Sequence, residues 1–354
     1  MKRYRKLIRG GIDTVGLGLL LLDFVRFRTG ILAGIALVYF LADFIRYRRE
    51  AVLNFRASRD LRKGMTLGKI RTIERQYSLR DDFNTFEKHA LVRPPLERYF
   101  YYAKYDRVRA LVLEFSAKGG RWLDLGCGFG EDMFFLSRQL SAQVVGLELD
   151  EIKLLEARRR FRGTEDFVWN DLCAGDAVRA PFKPGVFDGI LITEVLEHLI
   201  EPEKGLHACQ WLLKEGGLLI LSTPSLHDLD YRMNPFFLAE KAISLLDERV
   251  LPPYHHLHAE REYDRKQPEA AYGTHCHFSK RGLEDLVSRN HFEVLWRGSF
   301  EIEVFPDLIM DAFFRGNISR IGTCVGPLER ALEKMPVLGQ LGQHLLLVAR
   351  KKSG

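Results

Sequence analysis

A short segment near residue 125 has the residue types and spacing of a ligand-binding turn. It reads Asp124-Leu-Gly126-Cys127-Gly128-Phe-Gly130 and lies between an apolar run and a helical pattern. Glycines let a backbone turn sharply and approach a ligand closely. The helix that follows offers free N–H groups at a positive dipole end. The spacing differs from the G-x-G-x-x-G of dinucleotide enzymes. The segment therefore predicts a cofactor-binding turn, and taken alone it leaves a nicotinamide cofactor open.

Histidines that could accept a proton lie in two parts of the sequence. His198 follows a predicted strand and is the first candidate for a general base, with core packing or capping of a helix end as the alternative. A later group could bind a metal ion, or contact an acidic headgroup, or cap loops; its members are His255, His256, His258, His275 and His277. No metal is predicted.

Alternating helical and strand patterns from about Leu96 onward must position these residues. The predicted helices are Leu96–Ser116, Glu131–Leu140, Ile152–Arg162, Leu206–Lys214 and Gly282–Arg289. The predicted strands are Arg121–Leu125, Gln143–Leu147, Phe167–Asn170, Phe187–Ile192, Leu218–Ser222, Phe292–Gly298 and His344–Arg350. This alternation predicts an α/β fold with a doubly wound, mostly parallel, seven-stranded sheet. Ligands of such sheets bind beyond the carboxyl ends of the strands.

Several segments together resemble a known family. Trp122–Gly130 resembles motif I of the class I methyltransferases that depend on S-adenosylmethionine (SAM). Further segments match in the correct order, as in enzymes of the ubiquinone-biosynthesis type: Val144–Glu148, Gly175-Asp176-Ala177 with Pro181-Phe182, Phe187-Asp188, Glu194–Leu199, Leu213–Gly217 and Ser222–Pro224. The resemblance covers roughly Leu96 to Lys352, and residues 1–85 lie outside it.

The resemblance implies a methyltransferase with SAM as its cofactor. The loop of Gly126, Cys127, Gly128 and Gly130 would admit the methionine part of SAM, and Asp124 would order the loop and the amino group of SAM. At neighbouring strand ends, Glu148 would accept hydrogen bonds from the ribose hydroxyls and Asp176 from the adenine amino group. Ala177 would donate its N–H to the adenine ring.

The resemblance is less specific about the residues that bind the methyl acceptor. The resemblance places Glu194 beside the expected methyl position, and His275-Cys-His277-Phe-Ser279 resembles the segment that often lines the acceptor pocket. His198, His275 and His277 are the candidate catalytic residues. The insertion 225–274 is rich in apolar and aromatic residues. It predicts a lid or acceptor pocket, with a helical cap as the alternative.

The first fifty residues form a separate predicted region. Two apolar stretches, Ile12–Val25 and Thr29–Ile45, are flanked by basic clusters. Each is shorter than the ~20 residues that a spanning helix needs. They predict a membrane-associated helical hairpin on the cytoplasmic side, either inserted or lying in the interface. A pair of core helices, or a hairpin that docks on a partner, is the alternative. Residues 51–95 predict a basic linker or helical region before the methyltransferase domain, 96–352.

Charge and cysteine content narrow the class of protein. Residues 1–80 hold 18 Lys and Arg against 6 Asp and Glu, whereas the whole chain has a net charge of +6. A basic N-terminal region joined to an acidic remainder of the chain predicts an anionic partner for the basic region. The basic clusters bracket apolar helices and lack interleaved aromatics, which favours a membrane over nucleic acid. The five cysteines form no C-x-x-C pair and are odd in number, which indicates a reducing compartment.

The sequence therefore predicts transfer of a methyl group from SAM to a small-molecule or lipid-like acceptor at a membrane surface. Three alternatives stay open: an RNA methyltransferase that uses the basic N-terminal region, an NAD-dependent oxidoreductase, and a catalytically silent membrane-bound module. The sequence does not identify the acceptor or the atom that is methylated.

Overall fold

A computed structural model describes residues 95–162, 170–225, 278–302, 317–335 and 342–353, together with Thr66, Gly68, Thr72 and Gly339. The helices are α1 (Pro95–Phe115), α2 (Glu131–Leu140), α3 (Glu151–Phe161), α4 (Pro202–Leu212), α5 (Lys280–Arg289) and α6 (Ile318–Glu333). The strands are β1 (Arg121–Leu125), β2 (Gln143–Glu148), β3 (Asn170–Ala174), β4 (Phe187–Thr193), β5 (Leu213–Pro224), β6 (Phe292–Phe300) and β7 (His344–Lys351). Single turns of 3-10 helix cover Ala177–Arg179 and Leu196–His198.

The seven strands form one sheet in the order β3-β2-β1-β4-β5-β7-β6. The first five strands pair in parallel, and β7 runs antiparallel between β5 and β6. The prediction of a doubly wound, mostly parallel, seven-stranded sheet is confirmed. The strand order reverses between β1 and β4, and ligands bind at the carboxyl edge beside such a switch point.

Both faces of the sheet are covered, which explains why the central strands have continuous apolar sequences. Neighbouring residues of β1 show the alternation, because Trp122 packs into the core on one face and Leu123 into the core on the other. Helices α1, α2 and α3 cover the first face, whereas α4 and α5 cover the second. The sheet thus holds the loops at its carboxyl edge on a rigid frame.

Two predicted boundaries were wrong. The third strand runs on to Ala174, where it pairs with β2, and does not end at Asn170; residues 167–169 of the predicted strand lie outside the described residues. It is an outer strand with partly exposed side chains, so its sequence lacks the apolar run that marks the buried strands. The fifth strand begins at Leu213, earlier than predicted. It follows directly on α4, which both starts and ends earlier than predicted and has Pro202 in its first turn.

Helix α6 was not predicted from the sequence. It contains Pro327, and an internal proline removes a backbone hydrogen bond and argues against a helix. The predicted hairpin in residues 1–50, the linker 51–94 and residues 226–274 of the predicted insertion lie outside the described residues, apart from the three single positions. No helix in the described ranges is long and apolar enough to cross a membrane.

Candidate active site

The glycine loop between β1 and α2 has the conformation that its spacing predicts. Gly126, Gly128 and Gly130 all have positive φ angles, of 83°, 51° and 80°. A Cβ at Gly126 would overlap Val195, and one at Gly130 would lie 2.7 Å from the Phe161 ring. At Gly128 a Cβ would meet nothing within 4 Å. Two glycines are therefore required for packing, whereas Gly128 faces open space that a ligand could fill.

Glu148, the last residue of β2, lies directly beside this loop. Its Oε2 accepts a hydrogen bond of 3.0 Å from the Gly128 N–H, and its Oε1 accepts one of 2.9 Å from the Asp150 N–H. These two hydrogen bonds fix the orientation of the carboxylate, and only 8% of the residue is exposed. Because each carboxylate oxygen has further lone pairs, Glu148 can also accept from ligand hydroxyls.

Asp124 in β1 is a buried acid with unused hydrogen-bonding capacity. Within the described residues, its Oδ2 is buried and has no hydrogen-bond partner. Burial raises the pKa of Asp124 well above its usual value; the nearby Asp132 and Glu148 raise it further, against the opposing effect of Arg109. A cationic group bound beside it would favour its carboxylate form.

Asp132 and Arg109 form the wall next to Asp124. Arg109 of α1 donates to Oδ1 of Asp132 at 3.3 Å. Burial raises the pKa of Asp132, although its pairing with Arg109 opposes that shift. The glycine loop therefore lies against two buried acids, Asp124 and Asp132, and this surface suits a ligand with positive charge.

Asp176 and Ala177 follow β3 at the same edge. Gly175 donates its N–H to the Glu148 carbonyl oxygen at 3.0 Å, which brings this loop against the end of β2. Asp176 caps the short helix that follows, because its Oδ1 accepts from the Val178 N–H at 3.0 Å. Asp176 therefore has a local structural role and can still offer its second oxygen to a ligand.

Cys127 contributes to the loop through its backbone. Its N–H donates to the Leu147 carbonyl oxygen at 3.1 Å, and the side chain is buried. Burial raises the pKa of the Cys127 thiol well above its usual value. Since the thiolate is the reactive form, Cys127 is not a nucleophile here.

Glu194 lies directly after β4 and has a positive φ of 54°. Its carboxylate accepts from the Ser222 hydroxyl at 2.6 Å and lies 3.4 Å from Lys104 Nζ and 3.0 Å from His344 Nε2. Burial opposes ionisation, but His344 and Lys104 hold the pKa of Glu194 well below its usual value. The carboxylate is thus bound within the protein, and its contact with the cofactor stays a prediction.

Lys104, Glu194, Glu301 and His344 form what we call the His344 cluster. His344 is the first residue of β7, and its Nδ1 lies 2.7 Å from Glu301 Oε2, just after β6. Sequence reasoning predicted only Glu194 from this group. The other three come from distant segments without a shared motif, and the only sequence signal was a lysine in an otherwise apolar part of the α1 pattern.

The segment after Glu194 contains the candidate base. Glu197 is buried, accepts from the Thr223 hydroxyl at 3.1 Å and lies 3.9 Å from His198 Nε2. Burial, together with the charge of Glu194, raises the pKa of Glu197 to about 8. His198 keeps 34% of its side chain exposed, and its role as a proton acceptor stays a prediction.

The structure brings most of the predicted cofactor residues to one edge. These residues lie at or just after the carboxyl ends of strands in the parallel part of the sheet: Asp124, the glycine loop, Glu148, Asp176 and Glu194. His275 and His277 lie outside the described residues, so their roles stay predictions. The described part of the chain contains no group of three or more His, Cys, Asp or Glu residues that could hold a metal ion.

Comparison with known proteins assigns a family to this arrangement. A family model described as "Methyltransferase domain" matches residues 97–296. Ubiquinone biosynthesis O-methyltransferase of Bordetella pertussis is 38% identical over 112 residues, which cover 30% of this chain and 44% of the relative. Norajmaline N-methyltransferase of Rauvolfia serpentina is 35% identical over 91 residues, which cover 25% of this chain and 30% of the relative. The chain thus spans less than half the length of these relatives.

Among solved structures, a SAM-dependent methyltransferase from Thermotoga maritima, described as a possible histamine N-methyltransferase, is 18% identical with a TM-score of 0.47. The match covers 80% of this chain and 100% of that one. The family model spans the glycine loop and the acids at the ends of the parallel strands, and it covers more than half of the chain. The chain therefore belongs to the methyltransferase-domain family of class I SAM-dependent methyltransferases, whose cofactor is SAM.

Proposed function

We propose that this protein transfers a methyl group from SAM to a small, lipid-like acceptor at a membrane surface. The observation that carries the methyl-transfer part is the glycine loop, which opens at Gly128 between Asp124 and Glu148. The acceptor and the membrane are inferred from the apolar and basic sequence patterns. When bound, SAM supplies a methyl group that its sulfonium already activates, so the protein must chiefly hold and orient the reactants.

The residues present fit SAM by their chemistry. Asp124 has a buried oxygen without a hydrogen-bond partner among the described residues, and this oxygen could accept from the ammonium group of SAM. Glu148 is fixed by two backbone N–H groups and can accept from the ribose hydroxyls. Asp176 can accept from the adenine amino group with the oxygen that does not cap its helix.

The acceptor side is reached through α1. Tyr101 and Tyr105 pack edge to face with ring centroids 5.3 Å apart, and Lys104 Nζ lies 5.7 Å from each ring. Lys104 also pairs with Glu194 at the end of β4, so these rings border the methyl-facing edge. The helix follows directly after the basic and apolar N-terminal region. An acceptor bound at this edge would contact aromatic rings, which suits an apolar molecule.

The names of the relatives support a small-molecule acceptor but do not select one. Some relatives are named for ubiquinone biosynthesis and another for norajmaline, and their matches cover a third of this chain or less. We infer that the acceptor is selected outside the shared cofactor region, by α1, by the segment 225–274 and by His275 and His277. We assign His198 as the proton acceptor because it is partly exposed beside Glu197.

Labelled SAM tests the methyl transfer and the acceptor class in one experiment. The full chain is incubated with methyl-labelled SAM and, in parallel, with a membrane lipid extract, an aqueous metabolite extract or total RNA. We expect label in the organic phase of the lipid reaction and its loss with Glu148→Ala, whereas the exposed control Glu203→Gln keeps full activity. Label only in aqueous metabolites would contradict the lipid-like acceptor. Label only in RNA would favour the alternative RNA methyltransferase.

Vesicle flotation tests the membrane location separately. We expect the full chain to float with anionic vesicles and to be released by high salt, since headgroup attraction is screened. Replacement of Arg46, Arg48 and Arg49 by Gln should weaken flotation, and a matched control with Lys118, Lys183 and Lys214 replaced by Gln should not. Equal binding of both variants, or no flotation of the wild type, would contradict the membrane proposal.

A further inference from the structure

His344 lies between two carboxylates, and a positive charge on its ring favours that position. Its Nε2 lies 3.0 Å from Glu194 Oε2, and its Nδ1 lies 2.7 Å from Glu301 Oε2. A neutral imidazole has one N–H, so one of these short contacts would place two lone pairs against each other. Nδ1 is buried and has no hydrogen-bond partner among the described residues, so its contact with Glu301 is electrostatic, and the positive charge of the imidazolium favours both contacts. Burial alone would lower the pKa of His344, but Glu194, with a further contribution from Glu301, raises it to about 9 against the opposing charge of Lys104.

Both carboxylate partners have an unfavourable backbone conformation. Glu194 has a φ of 54° and Glu301 a φ of 66°, and neither is glycine. Positive φ angles are unfavourable for residues other than glycine and persist where the surrounding contacts hold them in place. The contacts that fix them are the imidazolium between their side chains, the Ser222 hydroxyl on Glu194 and the Glu329 carboxylate, which accepts from the Glu301 N–H at 2.9 Å.

The turn that contains Glu194 forms a wall of the cofactor loop. Val195, the next residue, packs so closely on Gly126 that any Cβ there would overlap its side chain. Gly126 in turn donates its N–H to the Leu147 carbonyl oxygen at 2.7 Å. A shift of the Glu194 turn would therefore move Val195 and release or crowd the glycine loop, although His344 itself lies on β7, which β5 separates from β4.

We propose that His344 is a positioning residue for cofactor binding, which holds the turn after β4 and, through Val195, the shape of the glycine loop. This inference rests on the binding of SAM by that loop. It assigns a role to the antiparallel strands β6 and β7, which follow the cofactor-binding half of the chain. His344 acts through Glu194 and takes no part in the methyl transfer.

The test is the affinity for S-adenosylhomocysteine, the demethylated product, measured by calorimetry on the full chain from pH 7 to pH 10. In His344→Gln the side chain at position 344 no longer titrates but still offers a hydrogen-bond donor. We expect this variant to bind about tenfold more weakly at pH 7, as expected when one buried charge partner is removed. The matched control, His207→Gln on the exposed side of α4, should bind as the wild type does.

The pH profile separates positioning from a general structural role. His344 is largely protonated at pH 7, half protonated at its pKa of about 9 and neutral well above it, so the wild-type affinity should fall towards that of His344→Gln as pH rises through 9. Among the described residues, the charged groups that act on His344 are Glu194, Glu301 and Lys104, and the charge of Glu194 also acts on Glu197 and Tyr105. These groups and the ligand's amino group titrate in both proteins, so the ratio of the two affinities isolates His344.

Two outcomes would overturn the proposal: wild-type affinity in folded His344→Gln, or an affinity ratio that stays constant from pH 7 to pH 10. The double variant Glu194→Gln/His344→Gln should bind no more weakly than Glu194→Gln alone, and additive losses would also contradict it. If His344→Gln does not fold, Ser222→Ala removes only the hydroxyl donor to Glu194 and should weaken binding several-fold; unchanged affinity would then count against it. Failure of the wild type to bind at all would instead refute the proposed function.

Discussion

The Gly128 N–H donates a hydrogen bond of 3.0 Å to Oε2 of Glu148, so the glycine loop and the end of β2 are joined before any ligand arrives. One carboxylate therefore orders the loop and also faces the space beside Gly128. In this arrangement the loss of Glu148 removes a ligand contact and loosens the loop. We expect these two effects to be separable by choosing the substitution.

Glu148→Gln should weaken SAM binding by about 1.5–3 kcal/mol, the range for a hydrogen bond to a charged group. The amide oxygen can keep the hydrogen bond from the Gly128 N–H, but the amide NH2 then faces the Asp150 N–H, so thermal stability should fall slightly in Glu148→Gln and further in Glu148→Ala. Calorimetric titration with SAM and thermal denaturation measure the two effects. Glu203→Gln on the exposed surface of α4 is the control. SAM affinity unchanged in both Glu148 variants would remove this acid from the cofactor site.

Alanine at Gly128 should block the cofactor with a modest loss of stability. The residue has a positive φ, so alanine costs about 1 kcal/mol or more, but its Cβ would project into open space. Gly185→Ala is a matched control, because that glycine has a φ of 62° and also meets nothing within 4 Å. We expect similar losses in melting temperature for both variants and loss of SAM binding only for Gly128→Ala. Equal SAM affinities would show that Gly128 does not face the ligand.

Gly126→Ala tests the packing of the loop on the turn after β4. Its Cβ would collide with Val195, and the φ of 83° adds strain. Overpacking of this kind costs about 1–3 kcal/mol. We therefore expect a clear fall in melting temperature, and partial recovery in Gly126→Ala/Val195→Ala, which removes the colliding methyl groups. No recovery in the double variant would show that backbone strain, and not Val195, limits this position.

Asp124 should oppose folding and favour cofactor binding at neutral pH. An acid whose pKa is raised on folding destabilises the native state as pH rises from its unfolded pKa towards its folded pKa, because the unfolded state ionises first. Asp124→Asn removes this penalty, so the empty protein should gain about 1 kcal/mol and roughly 2–4 °C in melting temperature at pH 7. The same variant should bind SAM more weakly.

The affinity for SAM should also depend on pH through Asp124. Its raised pKa means that protons compete with the cationic ligand, so wild-type affinity should rise with pH until Asp124 is ionised and then level off. In Asp124→Asn this rise should be reduced. Calorimetry at several pH values checks the prediction. Identical pH profiles in the two proteins would assign the dependence to another acid, with Asp132 the nearest candidate.

His198→Ala should lower kcat without weakening the binding of SAM. Loss of a general base typically costs 10²–10⁴-fold in rate, as an order of magnitude. His207→Ala changes an exposed histidine of α4 and is the control. The rate with the labelled acceptor fraction and the affinity for SAM are measured on the same preparations. A rate close to that of the wild type would exclude His198 as the proton acceptor and direct attention to His275 and His277.

The sequence by itself determined the parts that depend on local pattern. The glycine loop, β1 and α2 lie where the residues predicted them, because a buried apolar run, a glycine turn and an amphipathic helix are each specified by neighbouring residues. Glu148 and Glu194 could be placed at the ligand edge for the same reason, since an acid after a buried parallel strand must emerge at its carboxyl end.

Only the tertiary structure decided what those acids contact. Lys104, Glu301 and His344 lie far from Glu194 in the chain, and they meet it because α1 packs on the sheet and β7 inserts antiparallel between β5 and β6. The end of the outer strand β3 and the presence of helix α6 were also beyond local pattern, because partial exposure weakens the first signal and Pro327 masks the second. Pairings between distant segments depend on packing and charge in three dimensions, and no run of neighbouring residues encodes them.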